Sequence, residues 1–156
     1  MIAANIMTRD VKCLTADAPL VEAVRLIKDE KIRQLPIVDG EHRVVGVITP
    51  RTMLKAILPG YIAEGILKDV AFAPELPEFI EKMNGLVTKR VGEYMDDKFV
   101  KITPETSTME VAAIFVNEEM RVESIMVVDD GDRLLGIISP WDVFKRLCEY
   151  REKNES

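Results

Sequence analysis

The sequence predicts an α+β fold made of two copies of a strand-helix-strand-strand-helix unit, and three observations carry that prediction. VVGVITP, from Val44 to Pro50, recurs as LLGIISP, from Leu134 to Pro140, so Gly46 and Gly136 stand 90 residues apart. Each motif follows a second apolar run across an acidic, glycine-containing turn, with LPIVDGEHR from Leu35 matching IMVVDDGDR from Ile125. Upstream of both runs lies a stretch whose apolar residues recur at spacings of three and four, the period of a helix with one buried face.

The elements follow in chain order. IMTRDVKCLT and YMDDKFVKIT end at Thr15 and Thr103, 88 residues apart, and supply the first strand of each copy. Two single-residue insertions, one near Ser107 and one between the following helix and strand, reconcile the two offsets. Leu20, Ala23, Val24 and Ile27 mark the first helix of copy one, and Met109, Ala112, Ala113 and Val116 its counterpart. Asp39-Gly40 and Asp130-Gly131 suit hairpin turns, since glycine accepts positive φ and aspartate bonds its own backbone. The last helices begin at Pro50 and Pro140, where a missing N–H costs nothing, and Thr49 and Ser139 are placed to cap them. A unit of about 55 residues is marginal alone, so the two copies are expected to pack together. The segment Pro59 to Arg90 belongs to neither. Ile62, Ile66 and Leu67, then Phe79, Ile80, Met83 and Leu86, predict two short amphipathic helices around a turn at Pro74 and Pro77, capping the core or a dimer surface. The expected divisions are residues 1–58, 59–90 and 91–156.

Composition narrows the function. The 156 residues are 47% hydrophobic and 31% charged, with a net charge of −6, which suits a folded domain and disfavours a phosphate-tracking or anionic-membrane surface. Cys13 and Cys148 are the only cysteines and His42 the only histidine, so there is little material for metal clusters or Cys-His catalysis. The cysteines are expected to be reduced core residues, and His42 an exposed turn residue. The neighbouring acids Asp96, Asp97, Glu118 and Glu119 are expected on solvated faces, and Trp141 as a core or dimer-interface anchor. No apolar run approaches the ~20 residues of a membrane span, and the N-terminus lacks the pattern of a signal peptide; a cytoplasmic, non-catalytic protein is expected.

Ser139-Pro140-Trp141-Asp142 is close to a capping box, and Asp142 also complements the helix dipole. The same geometry serves a ligand. Free N–H groups at a helix start attract phosphate, and a carboxylate accepts from both hydroxyls of a ribose.

The ordered set IMTRDVKCLTADAPLVEAVRLIKDEKIRQLPIVD then GVITPRT, and YMDDKFVKITPETSTMEVAAIFVNEEMRVESIMVVDD then GIISPWD, resembles a tandem CBS-domain protein, a CBS pair or Bateman module. The resemblance spans about 120 residues and leaves the central segment unmatched. It implies a β-α-β-β-α fold per copy, pseudo-twofold pairing of the sheets, frequent dimerisation into a disc, and binding of AMP, ADP or ATP, sometimes S-adenosylmethionine, between the copies. Carried over by position, Ser139, Asp142 and Ile137 would face Ile32, Arg33 and Gln34 and the loop around Met7, Thr8 and Lys12. Ile32 and Ile137 would sandwich the adenine, Asp142 would take the ribose, and Arg33 and Lys12 would meet phosphate.

The first copy departs from this pattern. Thr52 stands where the family has aspartate, and the opposite cleft would combine Thr49 and Thr52 with Val122, Glu123 and Ser124. Glu123 would repel phosphate at close range, so this weaker cleft is expected to stay empty or take an uncharged nucleoside. The resulting expectation is a regulatory module with one adenine-nucleotide site per chain and no cofactor. It would act as a homodimer on a separate effector protein. The alternative is a structural interaction module whose clefts hold no nucleotide.

Overall fold

The computed structural model describes residues 1–58 and 76–155. In chain order the first half runs α1 (Ala3–Ile6), β1 (Leu14–Thr15), α2 (Leu20–Asp29), β2 (Leu35–Val38), β3 (Val44–Ile48) and α3 (Pro50–Ile57). After α4 (Leu76–Gly85) and two 3-10 turns, Leu86–Thr88 and Val91–Glu93, the second half runs β4 (Lys101–Ile102), α5 (Thr108–Val116), β5 (Ile125–Val128), β6 (Leu134–Ile138) and α6 (Pro140–Glu155). Each half forms a three-stranded sheet whose first strand runs parallel to the second and whose last two form an antiparallel hairpin. This is the doubled α+β architecture that the repeat predicts.

Both central strands are buried along their whole length because each sheet is covered twice. Ile37 and Ile48 pack under α2 with Leu20 and Ala23, and Ile125, Val127 and Ile138 pack with Val111 and Val143. On the opposite faces the sheets meet one another through Val38, Val44, Val47, Met126, Val128 and Leu134. Repeat one starts its parallel ladder one step later than repeat two. The Met126 amide donates to the Val100 carbonyl (3.0 Å), whereas Pro36 at the equivalent position has no N–H to give.

The pseudo-twofold is written in hydrogen bonds 88 to 90 residues apart. Ala3 and Ala4 donate to Thr106 and Pro104 of the other half at 2.7 and 2.9 Å; Val91 and Gly92 donate to Ala18 and Ala16, both at 2.9 Å. Each half's lead-in therefore crosses over. Ala3 and Ile6 complete the core of the second half, while Val91 and its neighbour Leu86 complete that of the first.

Several expectations change. The hairpins form as expected, but His42 (φ 66°) and Asp132 (φ 64°) take the left-handed positions, not the glycines. Asp39 and Asp129 organise each turn, accepting amide bonds at 2.9 Å from residues two and four further on. Cys13 packs at the edge of the inter-sheet core with its thiol pKa pushed up by burial, but Cys148 is exposed on α6, so only one of the two free cysteines is a core residue. Trp141 is 65% exposed and is no core anchor. Pro77 lies in the first turn of α4 rather than ahead of it, as a residue lacking an N–H can. The helix expected around Ile62, Ile66 and Leu67, with Pro74, lies outside the described residues. No helix among them is long and apolar enough to cross a membrane.

Candidate functional site

A crossing lead-in lies beside the last strand of each hairpin, ahead of the heads of α3 and α6. Thr8 and Ile137 exchange backbone hydrogen bonds of 2.9 and 3.0 Å, and Asp96 and Val47 do the same at 2.8 and 2.9 Å. Only glycine admits such approaches. A Cβ on Gly136 would stand 2.8 Å from both the Thr8 carbonyl oxygen and the Met7 sulfur, and one on Gly46 would stand 2.8 Å from the Met95 sulfur and 3.1 Å from the Asp96 oxygen.

At the head of α6 the capping box is complete. Asp142 Oδ2 accepts from the Ser139 amide (2.7 Å) and hydroxyl (2.8 Å), and the Asp142 amide donates back to Ser139 Oγ (3.3 Å). Because one carboxylate oxygen takes both bonds, Oδ1 has no partner among the described residues. The structure thus brings Thr8, Ile137, Ser139 and Asp142 together at one helix head.

The other expected residues come from the first lead-in and from the segment ahead of β2. Ile32 packs against the first repeat's own core. Arg33 is exposed, and Lys12 lies 3.9 Å from Glu30. Gln34 lines the opposite cleft. The antiparallel register that sets Leu35 opposite Ile48 carries Gln34 opposite Thr49, at the head of α3.

The cleft at the head of α3 measures about 1210 Å³ and gathers Thr49, Thr52, Val122, Glu123 and Ser124, the five residues expected of it. At its head Thr49 Oγ accepts from the Thr52 amide (3.0 Å), and the two hydroxyls lie 3.0 Å apart, so this cap carries no charge. Glu123 lines the cleft as one of several charged residues. Arg51, Lys55, Lys82, Lys98 and Arg121 line it as well, against Glu93, Asp96, Glu119 and Glu123. Two of the four acids are already engaged, Glu93 with the Arg90 amide (2.8 Å) and Asp96 with the Lys98 amide (2.9 Å). Sequence reading missed these cations because they come from four separate segments; only Arg51 and Lys55, one helical turn apart, were visible as a pair.

Paired sheets with swapped lead-ins define a doubled domain of two pseudo-twofold repeats. The CBS domain family model matches residues 3–59 and 91–149, and the chain belongs to that family as a tandem CBS pair. The chain is similar to CBSX2 of Arabidopsis thaliana (18% identity, TM-score 0.72, covering 97% of this chain and 96% of that one). CBSX2 in complex with AMP also aligns, at 18% identity and TM-score 0.71, over 96% of this chain and 98% of that one. A CBS domain pair in complex with 5′-methylthioadenosine and S-adenosyl-L-methionine aligns at 19% identity and TM-score 0.65, over 94% of this chain and 99% of that one. In sequence the chain is 24% identical to an uncharacterized protein of Methanocaldococcus jannaschii, over 94% of this chain and 91% of that one. It is also 28% identical to that organism's inosine-5′-monophosphate dehydrogenase, over 91% of this chain but 23% of the enzyme.

Proposed function

We propose that this CBS pair is a non-catalytic sensor that binds an adenosine ligand, AMP, ADP or ATP, at the head of α6. S-adenosylmethionine fits the same chemistry. The observation that carries this reading is the asymmetric use of the Asp142 carboxylate: Oδ2 fixes the helix cap, while Oδ1 remains to accept from a ribose. Ile137, held beside Thr8, offers an apolar edge to the base. Ligand contacts to both repeats would favour one relative arrangement, and an effector protein would read that arrangement.

The chain is proposed to act in the cytoplasm as a homodimer. Trp141 and Phe144, with ring centroids 5.9 Å apart, are both exposed on α6. An apolar pair of this kind excludes water when covered by a second copy. It also favours the second reading, a module whose whole purpose is protein interaction.

A thermal-shift series separates the two. Ligand at about 100 times its Kd adds roughly 2.7 kcal/mol, a shift of several degrees. The sensor reading expects that shift with AMP, ADP or ATP in wild type and its loss in Asp142→Ala. The absence of any shift with these ligands or S-adenosylmethionine would leave the interaction reading.

A further inference from the structure

We infer that Met7 and Met95 are a matched pair of oxidation sites, and that sulfoxide formation at either one unlatches the lead-in that carries it. The inference goes beyond the adenosine site and does not depend on it. Its first support is position. The two methionines stand 88 residues apart, at equivalent points of the two lead-ins. Each lays its thioether against a glycine in the last strand of the other half. A Cβ on Gly136 would stand 2.8 Å from Met7 Sδ and 2.9 Å from its Cγ, and one on Gly46 would stand 2.8 and 3.1 Å from the same atoms of Met95. Each sulfur therefore fills the place of a missing side chain. One residue further on, Thr8 bonds Ile137 and Asp96 bonds Val47 through both backbone groups, at 2.8 to 3.0 Å. Sulfur contact and backbone pair form one latch, two residues ahead of Ser139 in the second half and of Thr49 in the first.

The second support is what an oxygen on that sulfur would meet. Met7 packs against the core that holds Ile6 and Ile138, and Met95 against the core that holds Val91 and Ile48. A sulfoxide oxygen is a strong acceptor, and the strand amides beside it are already engaged, Ile137 with Thr8 and Val47 with Asp96. Oxygen placed there is buried without a donor, and releasing the strand lets water reach it. Both methionines are half-buried, so a small hydroperoxide reaches them; Met126 is fully buried, while Met109 and Met120 are exposed and oxidise first. In the step itself the sulfur lone pair attacks one peroxide oxygen and the O–O bond breaks. That oxygen stays on sulfur, and the other takes its proton and leaves as water or an alcohol, so sulfur gives up the two electrons that the peroxide gains. A thiol-dependent sulfoxide reductase restores the thioether, the oxygen leaving as water and two thiols joining as a disulfide.

Timed treatment with hydrogen peroxide tests this on wild type, Met7→Leu, Met95→Leu and the double variant, with sulfoxide located by peptide mass mapping and stability read as melting temperature. Oxidation of Met109 and Met120 should come first and leave the melting temperature of wild type in place. It should then fall by several degrees in step with oxidation at Met7 and Met95, and recover on treatment with a methionine sulfoxide reductase and dithiothreitol. Each single variant should lose about half as much. Leucine keeps the apolar contact, so the double variant should fold and hold its melting temperature through the same treatment. Wild type that carries sulfoxide at both sites with an unchanged melting temperature would overturn the inference, as would a double variant that falls as far as wild type, or no sulfoxide at either site while the protein stays folded. If leucine does not fit beside the glycine, the wild-type time course decides alone. No ligand enters the measurement, so a failure of the adenosine site leaves its outcome unchanged.

Discussion

The heads of α3 and α6 share a backbone and differ in chemistry. Both follow the second strand of a hairpin, both carry proline at the first helical position, and both cap the third residue's amide through a hydroxyl. In α6 the third residue is Asp142, whose carboxylate returns two bonds to Ser139; in α3 it is Thr52, which returns a neutral hydroxyl contact. A helix start can thus be capped with or without a charge. The repeats share the hydroxyl cap and differ in what surrounds it: a carboxylate with one free oxygen at the head of α6, a neutral hydroxyl pair among five cations and four acids at the head of α3.

The comparison can be broken most severely in the core. Ile48 and Ile138, equivalent and fully buried, should each cost about 2–5 kcal/mol as alanine, read by denaturant unfolding. Similar losses for the pair would show that both repeats stabilise one cooperative unit. Next comes the crossing of the lead-ins. Gly136→Ala meets a backbone oxygen at 2.8 Å and should cost about 2–3 kcal/mol, while Gly46→Ala, whose nearest atom is a methionine sulfur, should cost about 1 kcal/mol.

The caps themselves give a smaller contrast. Asp142→Ala removes a complete box and should cost about 1 kcal/mol, whereas Thr52→Asp should stabilise α3 by about 0.5 kcal/mol, both measured as shifts in unfolding midpoint. The smallest effect lies at the hairpins. Asp39 is held below the ordinary carboxylate range, first by the Arg43 amide and also by the Arg43 guanidinium at 2.8 Å. A lowered folded value means that its contribution is present above the unfolded value, near pH 4, and fades as pH falls through the folded one. Asp39→Asn should therefore flatten the acid limb of a stability-versus-pH curve.

Much of this was legible in the chain. The Gly46 and Gly136 motifs fixed the hairpins, the prolines fixed the last helices, and the Thr49 and Ser139 caps form as their residue types require. The cap around Asp142 was readable because its partners are three residues apart. The left-handed His42 and Asp132 were not, since glycines nearby offered a plainer account of the turn. That Gln34 also lines the cleft at α3 was not legible, because position in a motif does not say which wall the residue ahead of a strand faces; the register opposite Thr49 does. The cations around Thr52 were invisible for a related reason. They belong to one cleft only after the lead-in holding Asp96 has crossed to Val47.

The most direct test of the account counts AMP sites by calorimetry in wild type and Asp142→Ala. The account predicts saturation at one AMP per wild-type chain, and no measurable AMP binding in Asp142→Ala that still unfolds cooperatively. AMP binding of unchanged affinity and stoichiometry in Asp142→Ala would contradict it.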